Sequence, residues 1–292
     1  MSLVVKNVNK SFGTKKVVDN LSFELNKPGV FGLLGTNGAG KTTSIRMILG
    51  IIKKDSGEIS FNGKSVTRKN VNFGYLPEER GLYPKSKIYD QLMYFANLKG
   101  MSKIDGDKAI RYWLDKLKVS EYINYTAEKL SKGNQQKIQF ITAVLHNPDL
   151  IVLDEPFSGL DPVNTEILSN VMKELISEGK YIIMSSHQMN SVEEFCTDLV
   201  ILNRGKTVLK GNLKDIKNSY SSSKILVETD DNIDSIIKKL KLNILSSNDG
   251  VYIIENSNKD LLKELCDNNI NVSKYEIVKP SLHEIFIEKV GE

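Results

Sequence analysis

Short apolar runs separated by polar positions mark the beginning of the chain. The runs at residues 3–5, 17–25 and 30–34 have the length and the β-branched content of strands. The last of them is almost wholly apolar, which predicts a parallel strand buried on both faces. It leads into a glycine-rich loop, after which the pattern at 42–49 predicts a helix that Gly50 closes.

The middle of the chain changes from a strand pattern to a helical one. A strand at 58–61 followed by Asn62-Gly63 predicts a hairpin. Between about 85 and 146, apolar residues recur at three- and four-residue spacing, which predicts a helical subdomain. The apolar runs 150–153 and 181–184 flank a helical pattern at 164–177, as in the strand-helix-strand unit of a parallel sheet. The runs 199–202 and 207–209 then predict a closing hairpin.

The tail that follows has a pattern of its own, which continues beyond the polar stretch 219–223. We predict strands at 225–227, 243–245, 251–254 and 272–277, and helices at 233–240, 259–266 and 282–289. Apart from the last helix, this order is that of a ferredoxin-like unit. The sequence therefore predicts an α/β domain at 1–212, with an antiparallel β part and a helical subdomain at about 85–146, and a small α+β domain at 213–292.

Composition and charge narrow the class of protein. The 292 residues carry a net charge of +4. From residue 213 onward, 11 lysines face 14 acidic residues, which leaves +7 for the first part. That excess suits an anionic ligand, although a solvated basic surface would look the same. Cys196 and Cys266 lie far apart without clustered partners, which argues against a metal site or a disulfide framework. With no signal peptide and no apolar run of roughly 18 residues, we expect a soluble chain that reaches a membrane only through a partner.

The glycine-rich loop at 35–42 fits the phosphate-binding pattern G-x-x-x-x-G-K-[ST]. Its glycines let backbone amides approach phosphate oxygens, and the next helix points its positive end at the same anion. Lys41 would neutralise the β- and γ-phosphates, and the Thr42 hydroxyl would ligate Mg²⁺. An accidental glycine-rich turn is the alternative, which the strand before and the helix after disfavour. The candidate binding residues are Gly35, Asn37, Gly38, Gly40, Lys41, Thr42 and Thr43.

A second candidate is the pair of acids that ends the apolar run 150–153. Asp154 would help to hold Mg²⁺ at the edge of the nucleotide site. Glu155 would polarise the attacking water. Taken alone, two solvated loop carboxylates would explain the pair equally well. The phosphate-binding loop upstream favours the functional interpretation, and it predicts a mixed sheet of the type found in P-loop NTPases.

The segment 130–136, Leu-Ser-Lys-Gly-Asn-Gln-Gln, resembles the signature sequence of ATP-binding cassette (ABC) ATPases. Ser131 is a good N-cap for a helix running to 146, so Ser131, Gly133 and the positive helix end would together receive a γ-phosphate. An ordinary capped helix is the alternative. The segment's place about 20 residues before Asp154 favours the signature.

Three further positions match the family. Asp161, in Ser-Gly-Leu-Asp, resembles the loop that crosses the dimer, and His187 resembles the switch histidine at the γ-phosphate. Phe12 fits the aromatic residue that stacks on adenine. A structural histidine and a core aromatic are the respective alternatives. The resemblance thus implies Lys41, Glu155 and His187 as catalytic residues.

Two departures from the family pattern stand out. Glu78 occupies the place of the usual glutamine, which touches Mg²⁺ and senses the membrane subunit; a carboxylate is a stronger metal ligand. Lys132 and Asn134 replace the usual Gly and Gln of the signature, but the cap at Ser131 and the glycine at 133 remain.

The resemblance covers residues 1–212 with six motifs in order. The segment 73–84 and the Lys-Gly-Asn signature resemble the branch of bacterial sodium-extrusion and drug exporters, and 280–286 resembles its small C-terminal domain. This implies an ATPase that uses ATP and Mg²⁺, pairs as a head-to-tail homodimer when ATP is bound, and powers an exporter through integral membrane permease subunits. It further implies no nucleic-acid partner and a cytoplasmic location, peripheral on the inner face of the cell membrane.

Three other hypotheses were weighed against this one. Cassette proteins of ribosomes or DNA usually carry two cassettes or an inserted coiled coil, and this sequence has neither. A GTPase or a small-molecule kinase could use the same phosphate loop. The guanine-reading Asn-Lys-x-Asp of a GTPase follows that loop, whereas the segment 26–29, Asn-Lys-Pro-Gly, lacks the acid and precedes it. The tail would be a regulatory or dimer-contact module, since it has no clustered His, Cys or aromatic residues.

Overall fold

A computed structural model describes residues 2–67, 69–79, 81–220, 224–255 and 260–291. The chain falls into two compact units, Met1–Gly211 and Asn212–Glu292. Within the described ranges, no helix is both long and apolar enough to cross a lipid bilayer.

The first unit is built on a single sheet with helices alongside it. Its helices are α1 (Lys41–Ile48), α2 (Ile88–Leu98), α3 (Lys103–Lys116), α4 (Lys132–Val144), α5 (Pro162–Ser177) and α6 (Met189–Phe195). Its strands are β1 (Leu3–Phe12), β2 (Lys15–Leu25), β3 (Gly29–Gly35), β4 (Ser56–Phe61), β5 (Lys64–Ser65), β6 (Phe73–Leu76), β7 (Leu150–Asp154), β8 (Tyr181–Ser186), β9 (Cys196–Asn203) and β10 (Lys206–Asn212).

The sheet is mixed, as predicted. Its strand order is β5-β4-β1-β2-β10-β9-β3-β8-β7-β6. The strands β9, β3, β8, β7 and β6 pair in parallel, whereas β5, β4, β1 and β2 pair antiparallel. Every residue of β3, β7 and β8 is buried, which explains their continuous apolar runs. Because β3, β7 and β8 end at one edge of the sheet, the loops after them meet there.

Several elements of this unit differ from the sequence-based expectation, among them β1, β6 and the signature helix. β1 continues to Phe12, beyond the predicted end at Val5. The prediction stopped early because an irregularity in the pairing between Val5 and Val8 breaks the apolar alternation that marks a strand. β6 was missed: it has only four residues, and Gly74 is needed because a Cβ there would collide with the carbonyl oxygen of Ala143 on α4. The signature helix ends at Val144, two residues before the expected end.

The second unit is a small α+β domain. Its helices are α7 (Leu213–Ser219), α8 (Asp234–Lys239), α9 (Leu261–Asp267) and α10 (Leu282–Gly291), and its strands are β11 (Lys224–Thr229), β12 (Ile244–Asn248), β13 (Val251–Glu255) and β14 (Val272–Val278). The four strands form an antiparallel sheet in the order β12-β13-β11-β14. This order confirms the ferredoxin-like prediction, with apolar residues of β11 and β13 packed against α8 and α9. Residues 221–223 of the predicted polar stretch and the predicted helix start at 259 lie outside the described residues.

Candidate nucleotide site

The phosphate-binding loop joins the buried strand β3 to helix α1. Gly38 and Gly40 have φ angles of 78° and 106°, in the region that favours glycine. A Cβ on Gly40 would lie 2.6 Å from the carbonyl oxygen of Val17, whereas a Cβ on Gly38 would meet no heavy atom within 4 Å. Gly38 therefore leaves its side of the loop open, and Gly40 lets the loop pack tightly on β2.

A cleft of about 820 Å³ opens beside this loop, a volume typical of small-molecule sites. Its lining includes four cationic side chains and one acidic one, so its charge suits a polyphosphate. Three of the cations, Lys15, Lys16 and Arg204, were not predicted, because basic residues at the ends of strands and in turns are common on any surface. The lining residues are Lys15, Lys16, Val17, Thr36, Asn37, Gly38, Gly40, Lys41, Thr42, Thr43, Glu78, Arg204 and Gly205.

The ammonium group of Lys41 is almost fully buried in this cleft. Its Nζ donates to the carbonyl oxygens of Gly35 at 2.8 Å and Thr36 at 3.3 Å. It also lies 3.8 Å from Oε1 of Glu155. The structure thus brings the predicted phosphate-binding lysine and the predicted catalytic acid into one charged pair.

Ser185, near the end of β8, positions both acids that follow β7. Its hydroxyl donates to Oδ1 of Asp154. Its carbonyl and hydroxyl oxygens accept from the backbone N–H of Glu155 at 3.2 and 3.1 Å. Burial raises the pKa of Asp154, and the hydroxyls of Ser185 and Thr42 partly offset that rise. The sequence offered no signal for Ser185, because its partners are about 30 residues away.

Glu155, the second of the two buried acids, contacts His187. It has a φ of 53°, an uncommon conformation for a residue other than glycine, and its side chain is 5% exposed. Its Oε2 lies 2.8 Å from Nδ1 of His187 and accepts the His187 backbone N–H at 3.4 Å. His187 itself is half exposed, so its ring lies between the buried carboxylate and solvent.

The oxygen atoms around Thr42 and Asp154 fit a magnesium ion. Oδ2 of Asp154 is buried and has no hydrogen-bond partner among the described residues. Glu78 is the carboxylate in the lining of the cleft, which Thr42 also lines. The described ranges contain no cluster of three or more His, Cys, Asp and Glu residues. Mg²⁺ needs no such cluster, since it is usually held by one or two carboxylates together with substrate phosphates.

The signature residues form a second group, which does not line the cleft. Ser131 caps α4, because its Oγ accepts the backbone N–H of Asn134 at 3.3 Å. Asp161 caps α5 in the same way, accepting from Asn164 N at 2.8 Å. The side chain of Asn164 joins the two starts: it donates to Asp161 at 2.6 Å, and a Cβ on Gly133 would lie 3.1 Å from it.

Phe12 lies at the end of β1 and is 51% exposed. The alternative interpretation, a core aromatic, is therefore wrong. Nζ of Lys10 stands 5.2 Å from the centre of its ring, and the cleft lining does not include Phe12. The ring is available for stacking, but its place beside the adenine stays a prediction.

Comparison with known proteins agrees with this geometry. The family model for ABC transporters matches residues 18–158, and that for the C-terminal domain of DrrA1-3-like ATP-binding proteins matches 211–290. The chain is 46% identical to an uncharacterized ABC transporter ATP-binding protein of Bacillus subtilis, YhaQ, over 99% of this chain and 98% of that protein. It is 29% identical to the linearmycin resistance ATP-binding protein LnrL of the same organism, over 99% and 98%.

A solved structure of the ATP-binding subunit of an ABC transporter superposes with a TM-score of 0.70, at 28% identity over 82% of this chain and 100% of that one. The match to the small C-terminal domain and the similarity to LnrL are consistent with the drug-export branch. The chain belongs to the ATP-binding subunits of ABC transporters, which bind and hydrolyse ATP and work with membrane permease components.

Proposed function

We propose that two copies of this chain pair head to tail when ATP binds, and that this pairing drives an exporter. The observation that carries the proposal is the separation of two groups of residues. The cleft around Lys41 is lined by the phosphate loop but not by Ser131, Gly133 or Asp161. Each chain supplies one group of each kind, so a second copy would bring its signature to the γ-phosphate.

The phosphate side of the site would act through charge and position. Lys41 would exchange its two carbonyl partners for the β- and γ-phosphates, with the amides of the loop around the same oxygens. Thr42, Asp154 and Glu78 would hold Mg²⁺, which when bound neutralises phosphate charge. Phe12 would stack on the adenine, and Lys15, Lys16 and Arg204 add positive charge to the lining of the cleft.

Glu155 would serve as the general base for the attacking water. It is buried and contacts both Lys41 and His187, so its carboxylate is held beside the lysine that would bind the phosphates. His187 would hold that carboxylate in position through its 2.8 Å contact and reach the γ-phosphate from the exposed part of its ring. Ser131, Gly133 and Asp161 of the second copy would close the site.

The relatives support a proposal about the direction of transport. LnrL is named for resistance to linearmycin, and it matches this chain over almost its whole length, so we propose export. We place the chain on the cytoplasmic, inner face of the cell membrane, with its permease subunits docked beside Glu78 and helices α2 to α4.

The test follows the mass of the chain in the Glu155→Gln variant, in which bound ATP should persist. We expect light scattering to show monomers without ATP and dimers with ATP and Mg²⁺. The control adds Gly133→Asp, which places a negative charge against the incoming γ-phosphate and should abolish the dimer while ATP still binds. A Glu155→Gln chain that binds ATP and stays monomeric at high concentration would refute the proposed pairing.

A further inference from the structure

Gln139 is a buried amide on the signature helix α4, about two turns after Ser131. Its side chain is 2% exposed. Its Nε2 donates to the carbonyl oxygens of Pro77 at 3.1 Å and Glu79 at 2.9 Å. These two carbonyls belong to the residues on either side of Glu78. Both hydrogens of one amide group therefore hold the backbone that carries Glu78.

The orientation of this amide is set by its donors. Its Oε1 is buried and has no hydrogen-bond partner among the described residues. An amide that leaves its own oxygen unsatisfied incurs a desolvation cost, and here both of its donors are used on the Glu78 segment. The contact also joins positions 62 and 60 residues apart, so it is a tertiary link and not part of the helix itself.

Gln136 makes a similar link one turn earlier on the same helix. Its Nε2 donates to the carbonyl oxygen of Pro156 at 3.1 Å, next to Glu155. Residues three apart lie on one face of a helix. The face of α4 that bears Gln136 and Gln139 therefore holds the backbone beside Glu155 and the backbone around Glu78. The helix that begins with the signature is tied to both acidic segments.

We propose that Gln139 is a positioning residue that fixes Glu78 at the metal side of the nucleotide site and links that segment to the signature helix. This inference rests on the proposed function, in which Glu78 helps to hold Mg²⁺. Glu78 lines the cleft together with Lys41 and Thr42, so a shift of its backbone would move a carboxylate relative to the phosphates.

The experiment replaces Gln139 with Met, which has a similar volume and no donors. The full chain also carries Glu155→Gln, so that ATP is not consumed. Mn²⁺ binding to the ATP complex is measured by electron paramagnetic resonance, and ATP binding is measured separately in EDTA. We expect the affinity for Mn²⁺ to fall about tenfold, as for residues that orient metal ligands. ATP binding in EDTA should stay within about twofold, because the phosphate loop is untouched.

The matched control is Gln135→Met, on the same helix. The amide of Gln135 donates to the carbonyl oxygens of Ala127 and Leu130, away from Glu78. We expect this variant to bind Mn²⁺ as tightly as the parent chain. An equal loss in both variants would overturn the inference, because it would show a general effect of disturbing α4.

Glu78→Ala separates the inference from the proposed function on which it rests. If Glu78→Ala leaves Mn²⁺ affinity unchanged, the metal role of Glu78 itself is wrong. If Glu78→Ala weakens Mn²⁺ binding while Gln139→Met does not, Glu78 is a ligand and Gln139 does not position it. We expect the double variant to be no weaker than Glu78→Ala alone, since both act through one carboxylate. Should Gln139→Met fail to fold, Gln139→Asn keeps the amide but shortens its reach, and the same tenfold loss is expected.

Discussion

Replacing Glu155 with Gln should nearly stop hydrolysis while ATP still binds. The substitution keeps the size and shape of the side chain and removes its charge and its basicity. An oxygen remains to accept the backbone N–H of His187, and the backbone with its φ of 53° is unchanged. The fold should therefore tolerate it.

The expected loss follows from the role of the carboxylate. A positioned general base contributes about 10²- to 10⁴-fold, so we expect turnover to fall about 10³-fold, equal to about 4 kcal/mol in the barrier. The affinity for ATP should stay the same or increase. The reason is that Glu155 lies 3.8 Å from Nζ of Lys41 and competes with the phosphates for that ammonium. Removing the charge also removes repulsion against the γ-phosphate.

Two assays separate these effects. Phosphate release under saturating ATP and Mg²⁺ gives turnover, and a fluorescent ATP analogue gives affinity. Asp149→Asn, an exposed acid just before β7, is the matched control and should keep wild-type turnover. A Glu155→Gln chain that binds ATP and hydrolyses it within tenfold of wild type would refute the assignment of Glu155 as the base.

Three other substitutions test the site and the stability of the first unit. Gly40→Ala should lower the free energy of unfolding by about 1–3 kcal/mol in chemical denaturation. The reason is that Gly40 has a φ of 106° and that the new Cβ would lie 2.6 Å from a carbonyl oxygen. Gly38→Ala, whose Cβ would meet no heavy atom within 4 Å, should lower the free energy of unfolding by less. Ser185→Ala removes hydroxyl hydrogen bonds to both acids after β7, so turnover should fall about tenfold and need more Mg²⁺; an unchanged magnesium titration would contradict this. Burial lowers the pKa of His146 from about 6.5 to about 4, so the unfolded chain takes up a proton that the folded chain excludes. The free energy of unfolding should therefore fall by about 1–2 kcal/mol as the pH drops from 6.5 toward 4. The His146→Gln variant should show a shallower decline with pH.

The sequence predicted the elements whose apolar pattern is continuous or regular. The buried strands β3, β7 and β8 and the half-buried strand β11 were recognised, because burial on one or both faces leaves a pattern within a few residues. The four-residue strand β6 was not, because it depends on pairing with β7 and on the close approach of α4 at Gly74. Helices α6 and α7, of seven residues each, were also not predicted.

The residues of the site also divide into those that the sequence predicted and those that it did not. The phosphate loop and the acids after β7 are contiguous in sequence, so their chemistry could be predicted. Ser185, Gln139 and Arg204 act on residues far along the chain or reach the cleft through turns, and neither their type nor their spacing marks them. Such contacts depend on tertiary packing, which a single sequence does not display.

The pairing of two incomplete sites is tested most directly by mixing two inactive chains. Lys41→Ala removes the phosphate-binding cation but keeps the signature; Gly133→Asp keeps the cleft and blocks the signature, with a charge that suits the start of a helix. Each variant alone should hydrolyse no ATP above background. A mixed pair holds one complete site where a wild-type pair holds two, so we predict that the equal mixture recovers turnover of up to about one half of wild type per chain. A mixture that stays at background, where wild type is active, would contradict the head-to-tail account.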